Sequence, residues 1–112
     1  MISKNLEQSL AIAVNEAKKR HHKYVTVEHI LHALLKDDTI FEILESCGAS
    51  VSELNNNLER FLSEKVEVVE KGHEGNAYPT VAFQRILQRA AESVVSSGKE
   101  KIFGYNLMVA IF

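Results

Sequence analysis

Five histidines and a single cysteine are the side chains of this 112-residue chain best suited to chemistry at neutral pH. His29 and His32 stand three apart, one turn on a helix, with His21 and His22 close before them. Imidazoles at that spacing can share a metal ion, which makes His22, His29 and His32 the weak candidate ligands. No carboxylate or cysteine completes a recognised ligand set around them, and the His-Glu-x-x-His spacing of zinc peptidases is absent. Packed or surface histidines are therefore the better reading, and no metal is expected. Cys47, followed by Gly48, lacks the histidine and asparagine context of a thiol nucleophile and reads as a small buried apolar residue. A small metal- or thiol-dependent enzyme on His29, His32 and Cys47 is thus the lesser of two function classes. The other is a binding module with no catalytic residues.

Bulk composition supports the second class. Hydrophobic residues make up 46% and charged residues 25%, enough apolar material for one modest core. Thirteen basic against fifteen acidic side chains leave a net charge of −2, without the clustered basic excess that phosphate neutralisation needs. The densest basic run, Lys18 to Lys23, falls where a helix would end, and cations there complement the helix dipole. The N-terminus carries no apolar signal core, and no uninterrupted apolar run approaches the ~18 residues of a membrane span. The expectation is a cytoplasmic protein with neither nucleic acid nor membrane as a partner.

The elements that must position these residues are helical. Leu6, Leu10, Ala13, Val14 and Ala17 form one stripe of a helix over about 4–20. Thr26 is placed to cap a second helix, from Val27 to about Lys36, with Ile30, Leu31, Leu34 and Leu35 inward. Thr39 to Glu42 reads as a capping box opening a third helix that stops at Gly48, and Ser50 to Glu53 as another opening a fourth. Polar residues and glycines make about 65–79 a linker, its start pinned by Val66, Val68 and Val69. Thr80 caps a fifth helix ending at Gly98, and a sixth begins near Gly104.

The chain also resembles itself. At a shift of 77 positions Leu6 meets Phe83, Leu10 meets Leu87, Ala13 meets Ala90, Val25 meets Ile102, Ile30 meets Leu107 and Leu34 meets Ile111. Inward positions match while outward ones do not, as two copies of one helical unit require. The fold class expected is all-α, a tandem pseudo-repeat of four-helix units within one domain over 1–112. Repeat 1 covers about 1–64, and a partial repeat 2, with two helices, covers about 80–112.

Two phrases carry a family resemblance. Tyr24-Val25-Thr26-Val27-Glu28-His29-Ile30-Leu31-His32-Ala33-Leu34-Leu35 is similar to the signature of the Clp N-terminal repeat. Pro79 to Ala90, followed by Ser96 to Glu100 and Asn106 to Phe112, resembles the opening of that family's second repeat. The likeness is to the ClpA type more than to ClpC or ClpB. It implies a docking module of a hexameric ATP-dependent unfoldase that feeds the ClpP peptidase, binding the adaptor ClpS and some protein substrates directly. A ClpC-like module, taking other adaptors or phosphoarginine-marked substrates, is the alternative. No phosphate-binding loop occurs in the chain, so ATP and magnesium would belong to a downstream ATPase and no cofactor to this segment. The resemblance places Glu28, Thr80 and Arg85 at the adaptor surface. Lys23 joins them as a departure, standing where the family pattern leads one to expect an acid.

The uncapped apolar end at Ile111-Phe112 suggests an excised piece whose last helix lacks its cover. The expected consequence is lower stability than a longer chain, or self-association. Equal thermal stability and strictly monomeric sedimentation for both lengths would refute it.

Overall fold

The computed structural model describes residues 2–69 and 77–111. The expected linker therefore lies partly outside the described residues, at 70–76, as does Phe112. Six helices and two short strands follow in order: α1 (Lys4–Lys19), β1 (Tyr24–Val25), α2 (Val27–Leu34), α3 (Asp38–Ser46), α4 (Val51–Glu64), β2 (Tyr78–Pro79), α5 (Val81–Ser96) and α6 (Gly104–Ile111). The strands, which helical periodicity does not announce, pair in parallel with Tyr24 opposite Tyr78 and Val25 opposite Pro79.

The repeat is written in the backbone. Shifted by 77, α1 (Lys4–Lys19) falls on α5 (Val81–Ser96) and α2 (Val27–Leu34) on α6 (Gly104–Ile111), end for end. The caps correspond too. Ser3 Oγ accepts from Leu6 N as Thr80 Oγ1 accepts from Phe83 N. The link between copies is reciprocal, for Ser3 N donates to Ile102 O at 2.9 Å and Thr80 N donates to Val25 O at 3.1 Å. Each copy thus lends the start of its first helix to the segment preceding the other copy's second helix. The Ile2–Ile102 bridge and the Val25–Pro79 pairing are the same contact seen from the two sides.

The core lies where the helix pairs meet. α1 packs chiefly on α2, and α5 chiefly on α6. Leu6, Ala13, Ala17, Ile30, Leu34, Phe83, Ala90, Leu107 and Met108 are buried between them. The alanines let axes approach closely, and burial of each large side chain contributes on the order of 2 kcal/mol. α6 enters the same contact, since a Cβ added at Gly104 would stand 3.2 Å from Leu34 Cδ2.

Several sequence expectations are corrected. The third helix is capped by Asp37, not Thr39, because the Asp37 carboxylate accepts from Thr39 N and Ile40 N. The second helix ends at Leu34 rather than about Lys36. Cys47 is exposed, since it caps the end of short α3 beside Gly48 and points away from the core. Of the valines expected to pin the segment after α4, Val68 is 58% exposed while Val66 and Val69 are half-buried, and backbone bonds hold the segment as well: Lys23 N donates to Glu67 O and Val69 N to His21 O. On α6, Leu107 and Met108 are buried, while Tyr105 and above all Val109 are exposed.

One position differs between the copies in a testable way. His21 (φ +58°) and Gly98 (φ +70°) are equivalent left-handed residues just past α1 and α5. Glycine bears that conformation at little cost, whereas a side chain costs about 1 kcal/mol. His21→Gly is expected to stabilise the protein, and Gly98→Ala to destabilise it, by up to about 1 kcal/mol each in urea denaturation.

Candidate functional site

The β1–β2 pairing gathers residues far apart in sequence. Lys23 O accepts from Tyr78 N at 3.1 Å, so the residue preceding β1 is bound to the first residue of β2. Thr80, next after β2, caps α5 with its hydroxyl and bonds Val25 O with its N–H. Glu28 lies in the first turn of α2, immediately after β1, where an acid also complements the helix dipole. Lys23, Glu28 and Thr80 therefore share one edge of the fold. Arg85 projects from the adjoining α5 and is exposed.

The charges on this edge differ in what holds them. Lys23 lies 3.8 Å from Glu67 and 5.5 Å from the Tyr24 ring centroid, so its cation is directed back onto the protein. One Glu28 oxygen, Oε2, is buried and accepts no hydrogen bond among the described residues. Around Arg85, α5 exposes Val81, Gln84, Gln88 and Arg89 at helical spacing, and Tyr78 is 67% exposed beside them. Tyr78 and Arg89 were not singled out by the sequence. Only the pairing of β2 with β1, invisible in a helical pattern, brings Tyr78 to this edge.

Two polar clusters lie beneath. His29 Nδ1 accepts from Thr26 N at 2.9 Å, so a histidine fills the place of the acid or amide in a capping box. Asn106 does the same for Phe103 N in the second copy, at 2.8 Å. His29 Nε2 then meets His22 Nδ1 at 2.8 Å, with the rings edge to face. The third histidine, His32, goes elsewhere, to Glu59 Oε1 at 2.8 Å. The three candidate ligands thus spend these nitrogens on protein partners, and among the described residues no group of three His, Cys, Asp or Glu is arranged to hold a metal. Burial holds the His29 imidazolium down, to a pKa of about 4, and depresses His22 likewise.

Glu59 also reaches Arg20 at 2.7 Å, and Arg20 grips Glu16 at 2.6 Å and Ser63 at 3.2 Å. This clamp ties the end of α1 to α4. The Arg20 guanidinium holds the Glu16 and Glu59 carboxyls below their ordinary range.

An apolar cleft of about 320 Å³ opens between α3 and α6, lined by Ile40, Ile43, Leu44, Tyr105, Met108 and Val109. Among the described residues, no helix is long and apolar enough to cross a membrane.

Comparison with known proteins fits this geometry. The family described as Clp repeat (R) N-terminal domain matches residues 1–112. A ClpA homolog protein of Fuscovulum blasticum is 37% identical over 111 residues, a match that covers 98% of this chain and 14% of that relative. In fold, the chain is similar to the Hsp104 N-terminal domain from Candida albicans, with a TM-score of 0.85 at 12% identity, covering 97% of this chain and 71% of that one. It is also similar to the N-domain of ClpV from Vibrio cholerae, with a TM-score of 0.80 at 17% identity, covering 97% and 64%.

The clamp gives a prediction with a defined sign. Glu59→Gln removes the charge and is expected to cost about 1 kcal/mol at neutral pH. A depressed carboxylate contributes stability above its unfolded value, near 4.5, and loses it as pH falls through the lower folded value. The difference between wild type and Glu59→Gln in denaturant titrations should be constant above about pH 5 and close below it.

Proposed function

This chain belongs to the Clp repeat N-terminal domain family, and from that premise we propose that it is the adaptor- and substrate-docking module of a ClpA-type AAA+ unfoldase, with ClpS as its adaptor. The rest of that protein would supply ATP hydrolysis and deliver substrates to ClpP, in the cytoplasm. The module itself would carry no catalytic residue and no cofactor.

One observation carries the reading. The parallel β1–β2 pairing joins Lys23 and Glu28 to Thr80 and the Arg85 face of α5, making a single polar edge from two segments over fifty residues apart. Such an edge is suited to gripping a folded protein. Arg85 offers a planar fork that binds a carboxylate through two hydrogen bonds. Glu28, half-buried in the first turn of α2, offers a carboxylate as an acceptor on the same edge. Exposed Tyr78 supplies the aromatic contact area that binding sites favour. Lys23 contributes less, because its cation is already directed at Glu67. The apolar cleft between α3 and α6 is the place for direct contact with an apolar side chain of a substrate.

Titration calorimetry with the cognate ClpS tests this. Arg85→Ala should weaken binding by tenfold or more, about 1.4 kcal/mol, with the circular dichroism spectrum unchanged. Lys23→Ala should change affinity less than threefold, within about 0.7 kcal/mol. Undiminished affinity in Arg85→Ala would show that the docking edge is misplaced.

A further inference from the structure

His22 and His29 are nearly fully buried, and the docking edge does not use them. Their hydrogen bonds fix where every ring proton sits. Thr26 N–H donates to His29 Nδ1, so that nitrogen is bare and the His29 proton is on Nε2. Nε2–H then donates to His22 Nδ1, which must also be bare. The remaining His22 proton, on Nε2, is available to the Leu62 backbone, a hydrogen bond that favours it there. The result is a one-directional chain from the N-cap of α2, through the turn after α1, to the end of α4.

This arrangement holds one proton per ring and no more. A third proton has only the two Nδ1 atoms to go to. On His22 it would face the His29 N–H. On His29 it would turn a donor toward Thr26 N–H; the Thr26 hydroxyl, 2.9 Å away, could rotate to accept it, but the backbone N–H would be stranded. We propose that the His22–His29 pair is an acid-operated latch: uptake of one proton unfastens Thr26, and with it β1 and its pairing to β2, from α4 and the end of α1, while the helices persist.

The surrounding charges set the direction. On α1, Arg20 disfavours a further positive charge at both rings and Glu16 favours it; on α2, His32 opposes it at His29. Glu59 of α4 is drawn toward Arg20 and His32 instead. Burial dominates for both rings, and a histidine whose folded pKa is depressed binds its proton more readily once opened. Protection is therefore complete above about pH 6.5 and is lost as pH falls toward 4.

The second copy supplies both control and variant. Phe103 N is capped by the amide of Asn106 where Thr26 N is capped by His29, and an amide does not titrate in this range. Amide hydrogen exchange of the intact protein, corrected for intrinsic rates, would be followed by NMR from pH 7.5 to 4.5. Protection of the Thr26, Tyr78 and Thr80 amides should fall roughly tenfold per pH unit below about 6, as one linked proton requires, while Phe103 keeps its own. His29→Asn should retain the cap and abolish the slope. Thr26 and Phe103 declining together would mean global acid unfolding and overturn the latch, as would a wild-type slope in His29→Asn.

Discussion

Everything in this fold hangs on a reciprocal backbone exchange. Ser3 N–H reaches Ile102 O, and Thr80 N–H reaches Val25 O. In each bond the N-cap of one copy's first helix satisfies a carbonyl just before the other copy's second helix. Buried backbone groups need partners, and here each copy supplies the other's. The exchange fixes the register of β1 on β2, and that register in turn decides which side chains share an edge. A slip by one residue would turn Tyr78 and Tyr24 to the opposite side and part Thr80 from Val25.

On this symmetric frame the copies have diverged where burial permits. Inward positions keep size and polarity: Ala13 and Ala90, Ile30 and Leu107, Leu31 and Met108 are all buried. At N3 of the second helix both copies use a side chain that accepts from the N-cap backbone, but only His29 has a second nitrogen to spend. That nitrogen recruits His22, where the second copy has Lys99 in the solvent. Likewise His32 meets Glu59 of α4, while its counterpart Val109 is 75% exposed. The first copy is knit to α4 by polar links that the described part of the second copy does not have.

Much of this was legible in the sequence because burial imposes period. The stripes of α1, α2, α5 and α6, the caps Ser50 and Thr80, and the stops at Gly48 and Gly98 follow from apolar spacing and backbone freedom. The misses have physical causes. Asp37 and Thr39 can both cap a helix, and only the chain path from Leu34 chose Asp37. Cys47 was expected inside because free cysteine is usually buried, but α3 is short and ends in solvent. The strands are two residues long, below any periodicity, so the juxtaposition of Lys23, Glu28 and Thr80 came from family likeness and not from pattern. Spacing leaves the histidines packed or at the surface; the structure buries His22, His29 and His32 and exposes His21, and His22 reaches His29 across a turn that spacing does not describe.

Why the proposed docking edge lies at the seam between copies follows from the same constraint. Within a copy, each helix turns its apolar stripe inward and its polar face is spread around the outside. At the seam, two helix N-termini and two short strands converge, so backbone N–H groups, capping hydroxyls and first-turn residues crowd into a small area. Helix N-termini attract acids, as Glu28 illustrates, and the exposed stripe of α5 carries Arg85 and Arg89. Opposite charges held by rigid elements at a junction give a partner a geometry to match, which a flexible loop does not. Because the junction exists only when both copies are folded against each other, a partner docked there as proposed would read the assembled domain and not either half.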